Sequence, residues 1–176
     1  MPNSNAKGGK NERGVAKLLT RWTGFEFARV PQSGGLGWQN RMQITGDVIP
    51  TDPADMVTFP FSVEAKFYKE IDFEAPLLGN NVKWIDWWNQ ADRDAERAEK
   101  LPIVFMRRNL MPKDEHYIIV SLDTFDIFTG IDGFNNPYGY FIYNDDIVIL
   151  PSRDLLRAPY ANIEKGLRRL WKGSTL

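Results

Sequence analysis

Apolar residues recur at helical spacing between Lys10 and Trp22, where Val15, Leu18, Leu19 and Trp22 share one side and Gly24 supplies a stop. The period then shortens to two, and Phe25 to Val30 alternates as a strand does. Three glycines and a proline make Pro31-Gln32-Ser33-Gly34-Gly35-Leu36-Gly37 a loop, while Asn40 to Thr45 fits no template. Gly46-Asp47-Val48-Ile49 reads as a short strand, residues 50–55 as a turn, and Met56 to Lys66 as a longer strand. A hairpin of these two strands brings Asp47 near Glu64. Residues 67–81, broken by Pro76 and Gly79, read as a loop.

The pattern is strongest at residues 82–100. There Val82, Ile85, Trp88, Ala91 and Ala95 form a stripe, and Asp92, Arg93, Asp94, Glu96 and Arg97 fall largely outside it. Pro102 ends this helix, and Ile103-Val104-Phe105-Met106 is a strand of the buried type. His116 to Ser121 is a further strand, and Ser121 caps a short helix over residues 122–128. Residues 138–143 and 147–150 are short strands, and residues 163–171 a basic terminal helix. This order predicts a mixed sheet flanked by helices, either α/β or α+β. The 176 residues suit one domain, with residues 1–9 as a flexible basic arm and 151–176 as a basic C-terminal segment.

Composition narrows the chemistry. With no cysteine, disulfides and thiolate sites are excluded, and the lone His116 is expected to be a strand residue without a catalytic part. No signal peptide and no bilayer-spanning run is visible, so an intracellular chain is expected, with no membrane partner. The net charge of −1 conceals a polarity: residues 1–45 carry +5, residues 151–176 carry +4, and the middle −10. Basic ends around an acidic centre suit a polyanion held by its backbone beside a carboxylate-rich site. Two solvated amphipathic helices would give the same charges.

The strand Phe59-Pro60-Phe61-Ser62-Val63-Glu64-Ala65-Lys66 starts apolar and ends with a carboxylate and an ammonium on one face. Such a charged end is costly unless something uses it. Glu12, Asp47, Glu64 and Lys66 group as the candidate catalytic set. Two carboxylates at neighbouring strand ends, with the Ala65 carbonyl, suit Mg²⁺, and Glu12 from the first helix can complete the shell. A lysine beside the metal can orient the attacking water and neutralise charge on a phosphodiester.

Glu12-Arg13, Gly24-Phe25, Arg29-Val30-Pro31-Gln32-Ser33-Gly34-Gly35, Gly46-Asp47 and Glu64-Ala65-Lys66 follow in order. Taken together they resemble the PD-(D/E)xK nuclease superfamily, and within it the archaeal-type and viral Holliday junction resolvases. The resemblance covers roughly residues 7–107. It implies a restriction-endonuclease-like α/β fold and a Mg²⁺-dependent endonuclease, with Mn²⁺ able to substitute. A homodimer cutting branched DNA in recombination and repair is the implied assembly. By the same resemblance Asp47 and Glu64 bind metal, Lys66 serves the water, and Glu12 sits at the edge. Arg29 and Ser33 then contact phosphate, and Lys7, Lys10, Arg13 and Gln90 contact DNA. Gly46 stands where the superfamily name has proline. The interval of 17 residues from Asp47 to Glu64 is long for a tight hairpin, which makes Asp55 a rival ligand. Asp47 is favoured because Val48-Ile49 continues as strand, whereas Asp55 lies among turn residues. The Ser33–Gly37 loop lacks the lysine of a P-loop, so no nucleotide cofactor is expected. Trp84, Trp87 and Trp88 are expected in the core or a dimer interface, with stacking on unpaired bases as the other use.

Overall fold

The computed structural model describes residues 4–30, 45–112, 114–130, 139–155 and 157–173. Helix α1 spans Ser4–Thr23, so it starts six residues before Lys10 and replaces the expected arm over residues 4–9. Gly8 and Gly9 each cost a helix about 1 kcal/mol relative to alanine, which is why this stretch reads as an arm. The structure shows what Gly9 permits: a Cβ there would lie 2.5 Å from Nη1 of Arg29, so a side chain at this position would make the guanidinium shift off the helix.

Seven strands among the described residues form one sheet: β1 (Phe27–Arg29), β2 (Val48–Pro50), β3 (Phe61–Tyr68), β4 (Leu101–Arg108), β5 (Tyr117–Ser121), β6 (Phe141–Tyr143) and β7 (Ile147–Pro151). Their order is β1-β2-β3-β4-β5-β7-β6. The β3–β4 pair is parallel and the remaining neighbours are antiparallel. The mixed α/β architecture expected from the element order is what forms. Alternation sorts the side chains to two faces. Phe61, Val63, Ala65, Ile103, Phe105, Ile118 and Val120 pack with Val15, Leu18, Leu19 and Trp22 of α1. Val104, Met106, Ile119, Ile147 and Ile149 pack on the opposite face against Trp84, Trp88 and Ala91.

Those last three belong to α3 (Lys83–Arg97), the crossover that makes β3 and β4 parallel. Trp84 is fully buried, and its indole N–H donates to the Asp72 carbonyl at 2.8 Å. Trp87 stays half-buried at the rim of this core. Helices α4 (Leu122–Thr129) and α6 (Tyr160–Gly173) join α1 on its face, and α5 (Ser152–Leu155) follows β7 directly.

Helix α2 (Pro53–Thr58) lies where the sequence predicts a turn running into one long strand. Asp52 caps it by accepting from the Ala54 N–H at 2.7 Å, and Pro53 supplies the preset φ of a first helical turn. Lys100 donates from Nζ to the carbonyls of Met56 and Phe59 at 2.8 and 2.6 Å, which ties the end of α2 to the start of β3. Burial pushes the Lys100 ammonium down to about 8. Among the described residues no helix is long and apolar enough to cross a membrane.

Candidate active site

The site forms where β2 and β3 part. Val48 is paired with Val63, and the Asp47 N–H donates to the Val63 carbonyl at 2.7 Å. The Asp47 carbonyl accepts from the Val30 N–H at 2.8 Å, which fixes the residue between β1 and β3. Its side chain then takes over from the ladder: Oδ2 accepts from the Ala65 N–H at 3.0 Å. The N–H and C=O of one strand residue face the same neighbour, so the Ala65 carbonyl points into the same opening. Gly46 makes this approach possible. Its φ is +91°, and a Cβ would meet the Val63 carbonyl oxygen at 2.4 Å. Proline, locked near −65°, does not fit here. Asp55 sits instead in the first turn of α2, where its charge is felt by Tyr160. Asp47 is therefore the carboxylate that the fold brings to β3, and α2 occupies the long interval.

Glu64 and Lys66 project from β3 on the face opposite Val63 and Ala65, and Lys66 Nζ donates to Glu64 Oε1. Glu64 is buried, and burial followed by the negative charge of Asp47 raises its pKa against the Lys66 bond. Glu12 comes from α1 to within electrostatic reach of Asp47 and Lys66 and is also buried. Burial and then the Asp47 charge raise its pKa too, opposed by Arg29, Arg13 and Lys66. Arg29 Nε lies 3.4 Å from Glu12 Oε2, an ion pair without hydrogen-bond alignment, so Oε2 stays buried without a hydrogen-bond partner. The Asp47 charge thus acts on both glutamates.

The donor types here are those that a hard divalent cation takes. The donors are all oxygen, from Asp47, Glu64 and the Ala65 carbonyl, with the unpartnered Glu12 oxygen nearby. Among the described residues no three Asp, Glu or His side chains close into a finished cage. A partial oxygen set of this kind suits an ion that keeps several waters.

The match to known proteins agrees with this chemistry. Residues 3–147 match the family model described as "Phage putative PDDEXK endonuclease". The chain belongs to that family. It is similar to "Protein D14" of Escherichia phage T5, at 28% identity over 125 residues, covering 70% of this chain and 72% of that protein. No solved structure matches the chain.

The other residues expected to meet DNA are spread over α1 and α3. Lys7 sits with Nζ 5.8 Å from the centre of the Phe67 ring, close to the end of β3. Lys10 and Arg13 are exposed on α1, and Gln90 is exposed on α3. Ser33 lies outside the described residues. Sequence reasoning passed over Asn11 and Tyr68. The period of two that joins Glu64 to Lys66 reaches Tyr68, whereas nothing local marks Asn11 as buried.

Asn11 and His116 form a buried polar contact behind Glu12, with Nε2 and Oδ1 3.1 Å apart. Burial and then the Arg107 charge lower the His116 imidazole to about 4, so the ring is neutral at pH 7. A folded pKa below the unfolded 6.5 means that the unfolded chain binds the proton first on acidification. This contribution to stability is full above about pH 6.5 and shrinks as pH falls toward 4. His116→Gln should therefore flatten the profile: between pH 7 and 4.5 wild type loses roughly 2–3 kcal/mol more than the variant. Urea unfolding at both pH values measures this, and parallel losses would place His116 outside the acid response.

Proposed function

We propose that this nuclease is a Mg²⁺-dependent, structure-selective endonuclease that nicks four-way DNA junctions as a homodimer inside the host cell. The reading is supported by the clasp of Asp47 on Ala65, next along β3 to the Glu64–Lys66 pair. Junction selectivity is supported by the ordered Glu12, Arg29, Asp47 and Glu64-Ala65-Lys66 pattern, which is similar to that of the resolvases. A two-fold dimer supplies the two symmetric nicks that a four-way junction requires.

Asp47, Glu64 and the Ala65 carbonyl would hold Mg²⁺, with Glu12 at its edge. A divalent ion held there would supply Lewis-acid polarisation of the phosphate and lower the pKa of a bound water. Lys66 carries a positive charge on Nζ, held in place by Glu64, and offsets the charge that builds on the phosphodiester. Arg29, anchored against Gly9 and Glu12, offers the rest of its guanidinium to an adjacent phosphate.

The test is cleavage of a synthetic four-way junction and of linear duplex of matched sequence, with and without Mg²⁺. Selective, metal-dependent nicking of the junction is expected, with Mn²⁺ substituting. Equal cutting of both substrates would move the chain to a restriction-type or end-processing role. Binding without any cutting would leave it a DNA-binding protein.

A further inference from the structure

The face of β3 that bears Glu64 and Lys66 continues to Tyr68, which is 45% exposed at the strand's end. Tyr68 packs edge-on against Trp87 of α3, with ring centroids 5.6 Å apart and planes at 68°. The two rings wall a cavity of about 240 Å³ together with Val82 and Trp84, and Asn81 and Lys83 stand at its polar side. Trp84 is only a wall, since its N–H is already bonded to Asp72. The cavity and the carboxylates lie along the same stretch of β3 and α3. Asp94 of α3 acts on Glu64, and Trp87, seven residues earlier on the same side of the helix, meets Tyr68. Two helical turns, about 11 Å, thus run alongside about 13 Å of strand.

We propose that the Tyr68–Trp87 cavity is a stacking subsite for one unpaired nucleobase next to the phosphate that is cut. The proposal rests on the nuclease reading and adds what would make the site selective for DNA shape. Lys66 and Tyr68 are two strand residues apart, about 7 Å, so a nucleotide neighbouring the phosphate at Lys66 reaches the ring. A base inside a duplex has both faces covered by its neighbours at about 3.4 Å spacing and cannot enter. Base–aromatic stacking tolerates any sequence, as a shape-reading enzyme requires. The cavity is smaller than the roughly 300–1,000 Å³ that takes whole drug-sized ligands, which favours a single flat ring. Glu70 and Asp72 also line the cavity, so the cations that could meet phosphate stand beside the rings and not within it. Arg108 is registered beside Tyr68 on the parallel neighbour β4 and gives Nη1 to the Asn109 carbonyl. Arg107, by contrast, spends its guanidinium on the carbonyls of Met111, Pro112 and Glu115. Arg108 and Lys66 thus flank the aromatic corner for the phosphates on either side of the stacked base.

The test uses junction and flap oligonucleotides in which each nucleotide near the cut is replaced in turn by an abasic site. Wild type should lose about tenfold in kcat/KM at one position only. Tyr68→Ala and Trp87→Ala should cut intact DNA at that reduced level and be indifferent to the abasic site, whereas Tyr68→Phe keeps the wild-type response. Thermal unfolding checks that the variants fold, and the abasic scan on wild type stands without them. Wild-type cutting that is insensitive to abasic sites at every position, or discrimination retained in Tyr68→Ala, overturns the subsite alone. Failure of wild type to cut any DNA with Mg²⁺ or Mn²⁺ overturns the nuclease reading, and the subsite with it.

Discussion

Lys66→Ala lowers the single-turnover rate of metal-dependent DNA cleavage by about 10³-fold or more, while DNA binding changes by less than about threefold. The side chain supplies the one cation bonded to Glu64 among the described residues, and it is half-buried, where its charge is screened less than in open water. Removing it leaves the backbone clasp between Asp47 and Ala65 intact, so the carboxylates stay where they are. Loss is therefore expected in the chemical step and not in affinity. Excess-enzyme quench assays read the rate, and gel shifts with Ca²⁺ read binding. Asp47→Asn should match Lys66→Ala, and Asp55→Asn should leave the rate unchanged. A rate within tenfold of wild type for Lys66→Ala would remove the lysine from the mechanism, and the reverse result for the aspartates would reassign the ligand.

Gly46→Ala should both destabilise the fold and silence the site. The added Cβ lies 2.4 Å from the Val63 carbonyl oxygen and 2.9 Å from its nitrogen, backbone atoms that cannot swing aside. A positive φ adds about 1–2 kcal/mol for any L side chain. Overpacking adds a further 1–3 kcal/mol or so, giving a loss of roughly 3 kcal/mol. Moving β2 away to relieve the clash carries Asp47 with it, and a shift of about 1 Å at a reacting centre costs about 10²-fold. Urea unfolding and cleavage rates measured together check both halves. Unchanged stability with full activity would mean that β2 can move without moving the site.

The sheet was legible wherever alternation was strong. Residues 103–106 and 117–120 are apolar on both faces because helices cover both sides, and a continuous apolar run of that kind reads as buried strand. The stripe on residues 82–100 gave α3 within a few residues of its bounds. The start of α1 was hidden because glycine propensity is a local signal, while the Arg29 contact at Gly9 comes from a strand twenty residues away. The opposite error occurred at α2, where Asp52-Pro53 is a local start signal that reads equally well as a turn. For the site, period two joined Glu64 to Lys66. Asp47 was favoured over Asp55 because Val48-Ile49 continues as strand, but its seat beside Ala65 depends on the pairing of Val48 with Val63, which no spacing along the chain encodes.

That pairing separates distance along the chain from distance in space. Asp47 is held by hydrogen bonds to Val63, Val30 and Ala65, none of which involves the connection between β2 and β3. The connection is anchored at its far end, where Lys100 grips the carbonyls of Met56 and Phe59, but Thr51, Asp52 and Ala54 are exposed. A peptide spliced between Thr51 and Asp52 therefore has solvent to occupy and nothing in the catalytic centre to push. Relatives are free to differ in length there, and a search with a fixed gap between aspartate and Glu-x-Lys would pass them by. The same point offers a seat for a grafted targeting module on an otherwise unaltered nuclease.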